Sequence, residues 1–217
     1  MRFKAIIFDL DGTLLDTVDD LTDAANSVLR RFGYPEHDRQ TIQSFIGDGL
    51  RALMVRALPE SRRDDDTIQR CFELLKSAYA GCWTNKTHPY PGIPELLDGL
   101  LNCDIAISIL SNKADDATGQ IAAKLLFRWP FRIILGAKAG VPPKPDPTAA
   151  LIIARMLEIS PREIIFLGDS SIDMQTAEAA GMYGIGALWG FRSAEELIAG
   201  GARILLRNPL DLMPWLE

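Results

Sequence analysis

An apolar run, residues 3–8, ends in Asp9-Leu10-Asp11-Gly12-Thr13, and no other feature constrains the fold as much. Asp is depleted in strands, so the two carboxylates belong to the C-terminal end of a strand and the turn beyond it. Asp-Gly alone is an ordinary turn dipeptide and requires no chemistry. Open α/β sheets, however, bind their ligands beyond the carboxyl ends of their strands, which makes an acidic pair there a candidate site.

The rest of the chain supplies the sheet. An apolar stripe of Val18, Leu21, Ala25, Val28, Leu29 and Phe32 predicts a helix that begins after Asp16-Thr17 and stops at Gly33. Further helical patterns cover 49–58 and 65–80, with no strand between. The Pro- and Gly-rich stretch 87–92 reads as a linker. Beyond it, strands expected at 104–110, 132–135, 163–167, 183–188 and 203–206 alternate with helices at 94–101, 115–125, 148–157, 173–180 and 194–199. Alternation of this kind predicts a parallel sheet covered on both faces. The expected fold is α/β: a Rossmann-like parallel-sheet core, residues 1–14 and 88–217, with a small all-helical cap domain, residues 15–87, inserted after the first strand.

Composition excludes several functions. The net charge of −6 gives no electrostatic footprint for nucleic acid. Cys71, Cys82 and Cys103 form neither a metal spacing nor a disulfide framework, which points to a reducing cytoplasm. His37 and His88 are too few and too far apart for a zinc site or a serine triad. No stretch reaches transmembrane length, and the N-terminal apolar run, broken by Asp9 and Asp11, is no secretory signal. The expectation is a cytoplasmic protein, monomer or weak homodimer, acting on a small molecule without nucleic-acid or membrane partners.

Three more strand ends carry residues that packing does not demand. Ser111-Asn112-Lys113 follows one strand, Lys144 lies in the Pro-rich stretch 141–147, and Gly168-Asp169-Ser170-Ser171-Ile172-Asp173 follows another. Separately, each has a bland reading as a helix cap, a solvated lysine or an acid at a helix N-terminus. Together, on one edge of a parallel sheet, they suit phosphoryl transfer through an aspartyl-phosphate. Asp9 would attack phosphorus and split one displacement into two. Asp9 and Asp169, with a backbone carbonyl of the first loop, suit Mg²⁺, which takes oxygen ligands. Lys144 adds a second cation, and Ser111 with the loop amides can donate to phosphate oxygens. Asp11, given a raised pKa, would protonate the leaving alkoxide and later activate water.

Asp9-Leu-Asp-Gly-Thr13, Ser111-Asn112, Lys144-Pro145 and Gly168-Asp-Ser-Ser-Ile-Asp173 resemble, in order, the motifs of haloacid dehalogenase superfamily phosphatases. The resemblance implies Asp9 as nucleophile and Asp11 as general acid/base. It also implies Mg²⁺ held by Asp9, the Asp11 backbone carbonyl and Asp169, with Asp173 supporting the shell. Ser111 and Lys144 would hold phosphate, with Thr13 and Asn112 beside them. Within the superfamily the chain is most similar to bacterial phosphoglycolate phosphatases, on Asp16-Thr-Val-Asp-Asp-Leu21, Phe45-Ile-Gly-Asp-Gly-Leu50, Tyr90-Pro-Gly92, Ser111-Asn-Lys113, Gly181-Met182 and Trp189-Gly-Phe-Arg192. That likeness implies 2-phosphoglycolate as substrate. Other small phosphate esters, pyrophosphate, or a β-phosphoglucomutase-like phosphotransfer are the alternatives.

The cap must choose the substrate, since the core recognises only a phosphoryl group. Gly47-Asp48-Gly49 is a turn that permits close approach to a ligand. Arg51 just beyond it could meet a carboxylate; a solvated helix-face arginine is the plainer reading. A dehalogenase would not need Asp11. A phosphonatase needs a cap lysine, and residues 15–75 contain none. Thr13, where mutases usually carry an aliphatic residue, favours hydrolysis.

Overall fold

A computed structural model describes residues 3–216. The chain forms two compact units, one of residues up to Leu15 together with those from Pro89 onward, the other Asp16–His88.

The first unit begins with β1 (Ala5–Phe8), four consecutive buried apolar residues. Short β2 (Leu15–Asp16) and β3 (His88–Pro89) pair where the chain leaves and re-enters this unit. The chain continues through α5 (Ile93–Asn102), β4 (Ala106–Ala114), α6 (Asp115–Leu125), β5 (Ile133–Ala137), α7 (Thr148–Leu157), β6 (Ile164–Gly168), α8 (Ser171–Ala180), β7 (Tyr183–Ala187), α9 (Ala194–Ala199) and β8 (Ile204–Leu206). The six longer strands form one parallel sheet in the order β5-β4-β1-β6-β7-β8. Ala5 to Phe8 stand in register with Ala106 to Ile109 on one side and Ile164 to Leu167 on the other. Continuous Ile, Leu and Phe runs suit strands buried on both faces. Ile7, Phe166, Ile153 and Ala177 meet in one such core layer.

Strand order runs outward in both directions from β1, so the sheet changes winding direction there. The crevice beyond such a switch point is the binding position of an open α/β sheet. Asp9 and Asp11 follow β1, Ser111 lies just past the stretch of β4 that pairs with β1, and Asp169 follows β6, which places all of them at this crevice.

The second unit holds α1 (Val18–Arg31), α2 (Arg39–Phe45), α3 (Gly49–Ala57) and α4 (Asp65–Cys82). The expected stripe on α1 is buried, apart from a half-buried Phe32. Asp38 and Asp64 cap α2 and α4 by accepting from the Thr41 and Thr67 amides. Of the Asp16-Thr17 pair before α1, Thr17 makes no side-chain cap bond and Asp16 accepts from the Val18 amide at 3.3 Å. Among described residues no helix is long and apolar enough to cross a membrane.

Two elements differ from expectation. Helix α2 was not anticipated; Ile42 is its sole buried residue, too little to write an apolar stripe. Strand β4, expected to stop at Leu110, runs on to Ala114 through a register shift against β5. Ser111, Asn112 and Lys113 are therefore strand residues, not a helix cap.

Candidate active site

Asp9 follows β1, and its amide donates to the Leu167 carbonyl of β6 at 3.0 Å. Its Oδ1 accepts from the Leu10 amide at 2.7 Å and lies 2.9 Å from Lys144 Nζ. The Lys144 side chain is buried and also reaches Asp173 Oδ1 at 2.6 Å, so one ammonium bridges two carboxylates. Burial alone would lower the lysine's pKa; Asp173 and Asp9 outweigh it and hold Lys144 above the ordinary lysine range.

Asp173 is fully buried on α8. Its Oδ2 accepts from Ser170 Oγ at 2.6 Å and the Ser170 amide at 3.1 Å, closing a capping box. Asp169 is gripped from two sides. Thr13 Oγ1 donates to its Oδ1 at 3.0 Å, and the Phe191 amide donates to its Oδ2 at 2.8 Å. Backbone crowding is extreme here. Gly12 has φ +88°, and a Cβ there would enter the Asp169 carboxylate; a Cβ on Gly190 would strike both Asp169 and the Gly12 carbonyl. Trp189 Nε1 donates to the Thr13 carbonyl at 2.9 Å, so residues 189–191 buttress the first loop and Asp169 together.

One carboxylate oxygen from each of Asp9, Asp169 and Asp173 lies within 4.8 Å of the other two. Burial drives the Asp9 carboxyl up to about 7, with Lys144 opposing and Asp173 and Asp11 reinforcing. Burial, then the charges of Asp173 and Asp9, raise Asp169 well above the usual carboxylate range. With all four carboxylates ionised, Asp9, Asp11, Asp169 and Asp173 would exceed the Lys113 and Lys144 ammonium groups by two negative charges, the charge a divalent cation carries. Hard oxygen donors without sulfur or imidazole fit Mg²⁺.

Asp11 stands apart from that carboxylate group. Both its oxygens lie on Lys113 Nζ, at 2.9 and 2.7 Å. Lys113 was given no role from the sequence. The sequence carries no local signal for it: Lys113 falls beyond the strand expected to stop at Leu110, and only the structure shows it inside β4 and 6% exposed. The contacts of residues 189–191 were equally unassigned.

Ser111 is buried beside Lys113, whose amide donates to Ser111 Oγ at 3.2 Å. Asn112 brackets the Lys144 backbone: Oδ1 accepts from its amide at 2.9 Å and Nδ2 donates to its carbonyl at 3.0 Å. Thr13 and Asn112, both expected beside phosphate, thus hold charged residues in place. Gly47, Gly49 and Arg51 belong to the helical unit. Both glycines have positive φ, and Asp48 between them pairs with Arg56. Arg51 is exposed, donates to Gln69 at 2.6 Å and lies over the Phe72 ring.

Residues 6–187 match the haloacid dehalogenase-like hydrolase family. The chain is 31% identical over 215 residues to Phosphoglycolate phosphatase 1 of Pseudomonas aeruginosa, covering 97% of this chain and 79% of that one. It is 35% identical over 202 residues to the phosphoglycolate phosphatase of Nitrosospira multiformis, covering 91% and 88%. In structure it is similar to a haloacid dehalogenase-like family hydrolase of Streptococcus pneumoniae, with TM-score 0.89 at 24% identity over 100% and 99% of the two chains. The chain belongs to the haloacid dehalogenase-like hydrolases, and its relatives place it among that family's phosphatases.

Proposed function

We propose that the protein is a cytoplasmic, Mg²⁺-dependent phosphomonoester phosphatase that works through an aspartyl-phosphate on Asp9, with 2-phosphoglycolate as its substrate. The observation that carries the chemistry is the bridging of Asp9 and Asp173 by buried Lys144, beside Asp169, at the switch point of the sheet. The substrate rests on the names of the relatives.

Asp9, Asp169 and Asp173 would hold the metal, which when bound neutralises charge on the phosphoryl group. The Leu10 amide and Lys144 hold the Asp9 carboxylate in place for attack on phosphorus. As the bond from the Asp9 carboxylate to phosphorus forms, the ester P–O bond breaks, and the Asp11 carboxyl gives its proton to the leaving alkoxide. Asp11 then takes a proton from water as that water attacks phosphorus, and Asp9 leaves as a free carboxylate with phosphate released. Lys144 and Ser111 steady the phosphoryl oxygens. Residues 16–88 would act as the cap domain that selects the ester, with Gly47, Gly49 and Arg51 as its candidate contacts.

The test is kcat/KM with Mg²⁺ on 2-phosphoglycolate, pyrophosphate, β-glucose 1-phosphate and a few sugar phosphates. A preference of at least ~100-fold for phosphoglycolate, about 2.7 kcal/mol in the transition state, supports the assignment. Equal, weak turnover of all of them removes the substrate and leaves the phosphatase. Turnover of β-glucose 1-phosphate to glucose 6-phosphate without phosphate release would favour the mutase reading.

A further inference from the structure

The two lysines of the crevice divide the two aspartates of the first loop between them. Lys144 takes Asp9, and Lys113 takes Asp11. The Lys113 ammonium meets both oxygens of Asp11, which fixes the plane of the carboxylate as well as its position. The side chain is 4% exposed, and burying a lysine is costly unless its charge is paired. Its backbone is anchored on both sides: the amide donates to Ser111 Oγ, and the carbonyl accepts from the hydroxyl of buried Thr118. Asp11 lies in the turn before Gly12, whose amide donates to the Leu15 carbonyl at 2.9 Å; that fixes the backbone, while the carboxylate is held by Lys113. A rigid strand end thus reaches across to a group on a turn.

From this geometry, and resting on the phosphatase reading above, we infer that Lys113 is the positioning residue of the acid/base Asp11. Residues 111–113 then serve three tasks from three adjacent positions. Ser111 faces the phosphoryl group, Asn112 holds the backbone of Lys144, and Lys113 aims the carboxyl that exchanges the proton with the ester oxygen. Lys113 pairs with Asp11 through both carboxylate oxygens, whereas the nucleophile Asp9 is paired by Lys144. Its effect therefore belongs to proton delivery, not to phosphate binding.

Leaving-group chemistry separates these. An alkoxide such as that of glycolate needs a proton to depart, whereas p-nitrophenolate departs without one. The experiment measures kcat/KM for 2-phosphoglycolate and p-nitrophenyl phosphate, and inhibition by inorganic phosphate, for wild type, Lys113→Met and Lys113→Arg. Lys113→Met is expected to lose at least ~100-fold on the alkyl ester but under about 10-fold on the aryl ester, with the phosphate inhibition constant within about threefold of wild type. Lys113→Arg keeps the cation and is expected to hold the alkyl-to-aryl ratio within about threefold of wild type. Equal losses on both esters, or phosphate inhibition weakened in step with them, overturn the inference. If Lys113→Met does not fold, a Lys113→Arg ratio that drops about tenfold overturns it and a preserved ratio supports it. A wild-type protein that hydrolyses neither ester overturns the phosphatase reading and this inference with it. An active wild type with uniform losses overturns the inference alone.

Discussion

Replacing Asp9 or Asp11 by asparagine removes a charge while nearly keeping the volume, and each change also takes one carboxylate partner from a buried lysine. Asp9→Asn deletes the proposed nucleophile and leaves Lys144 with only Asp173 as its described carboxylate partner. Turnover should disappear, and single-turnover acid quench should trap no phospho-enzyme. Asp11→Asn leaves Asp9, Lys144 and the three-carboxylate group untouched. It should lose about 10²–10⁴-fold in kcat on alkyl esters while its inhibition by phosphate stays near wild type. Wild-type kcat in either variant removes the role given to that residue. Gly190 is a residue of the opposite kind, needed for its missing atom. Gly190→Ala would drive a methyl into Asp169 and the Gly12 carbonyl, so it should weaken Mg²⁺ binding, as followed by titration calorimetry, even where the variant folds.

Strand β4 gains its functional weight from the residues beyond its apolar run. Asn112 contributes two hydrogen bonds that fix the backbone from which Lys144 projects. Asn112→Ala leaves an amide and a carbonyl unpaired in a part-buried loop, at a cost of about 1–3 kcal/mol. It should lower both the denaturation midpoint and kcat/KM, and a change in neither would show that Lys144 is positioned by other contacts. This element also marks where the sequence stops being legible. The apolar runs of β1, β4 and β6 announce buried parallel strands, and the motif ends announce a shared crevice, because both signals are local. Ser-Asn at the end of β4 reads equally as a helix cap, since capping and strand extension use the same residue types. The partner of Lys113 is 102 positions away, and that of Trp189 176 away, so neither pairing leaves a local trace. Helix α2 was hidden for a different reason: with Ile42 alone buried, it is held by its Asp38 cap and polar contacts that write no apolar period.

Among the described residues, most acids with shifted pKa values lie on the surface and are lowered by their hydrogen bonds, as at Glu36, Asp38, Asp64 and Glu163. Their contribution is present above the unfolded carboxylate range and is lost only as pH falls below it. Asp9 and Asp169 are displaced the other way. Between an unfolded value of 3.8 and about 7, the folded metal-free protein holds a proton on Asp9 that the unfolded chain has released. The native state then binds more protons, so stability decreases as pH rises through that window. Mg²⁺ needs the ionised carboxylates, so it displaces the same protons, and its stabilisation grows over the same range. Without metal, the Tm at pH 7.5 should therefore lie below that at pH 5.5. Saturating Mg²⁺ should raise it more at pH 7.5 and narrow or reverse the gap. Asp9→Asn, which cannot titrate at that position, should flatten the metal-free pH dependence without abolishing folding. A Mg²⁺ shift of equal size at both pH values would show that the cation does not compete with these protons, and the three carboxylates would lose their claim to it.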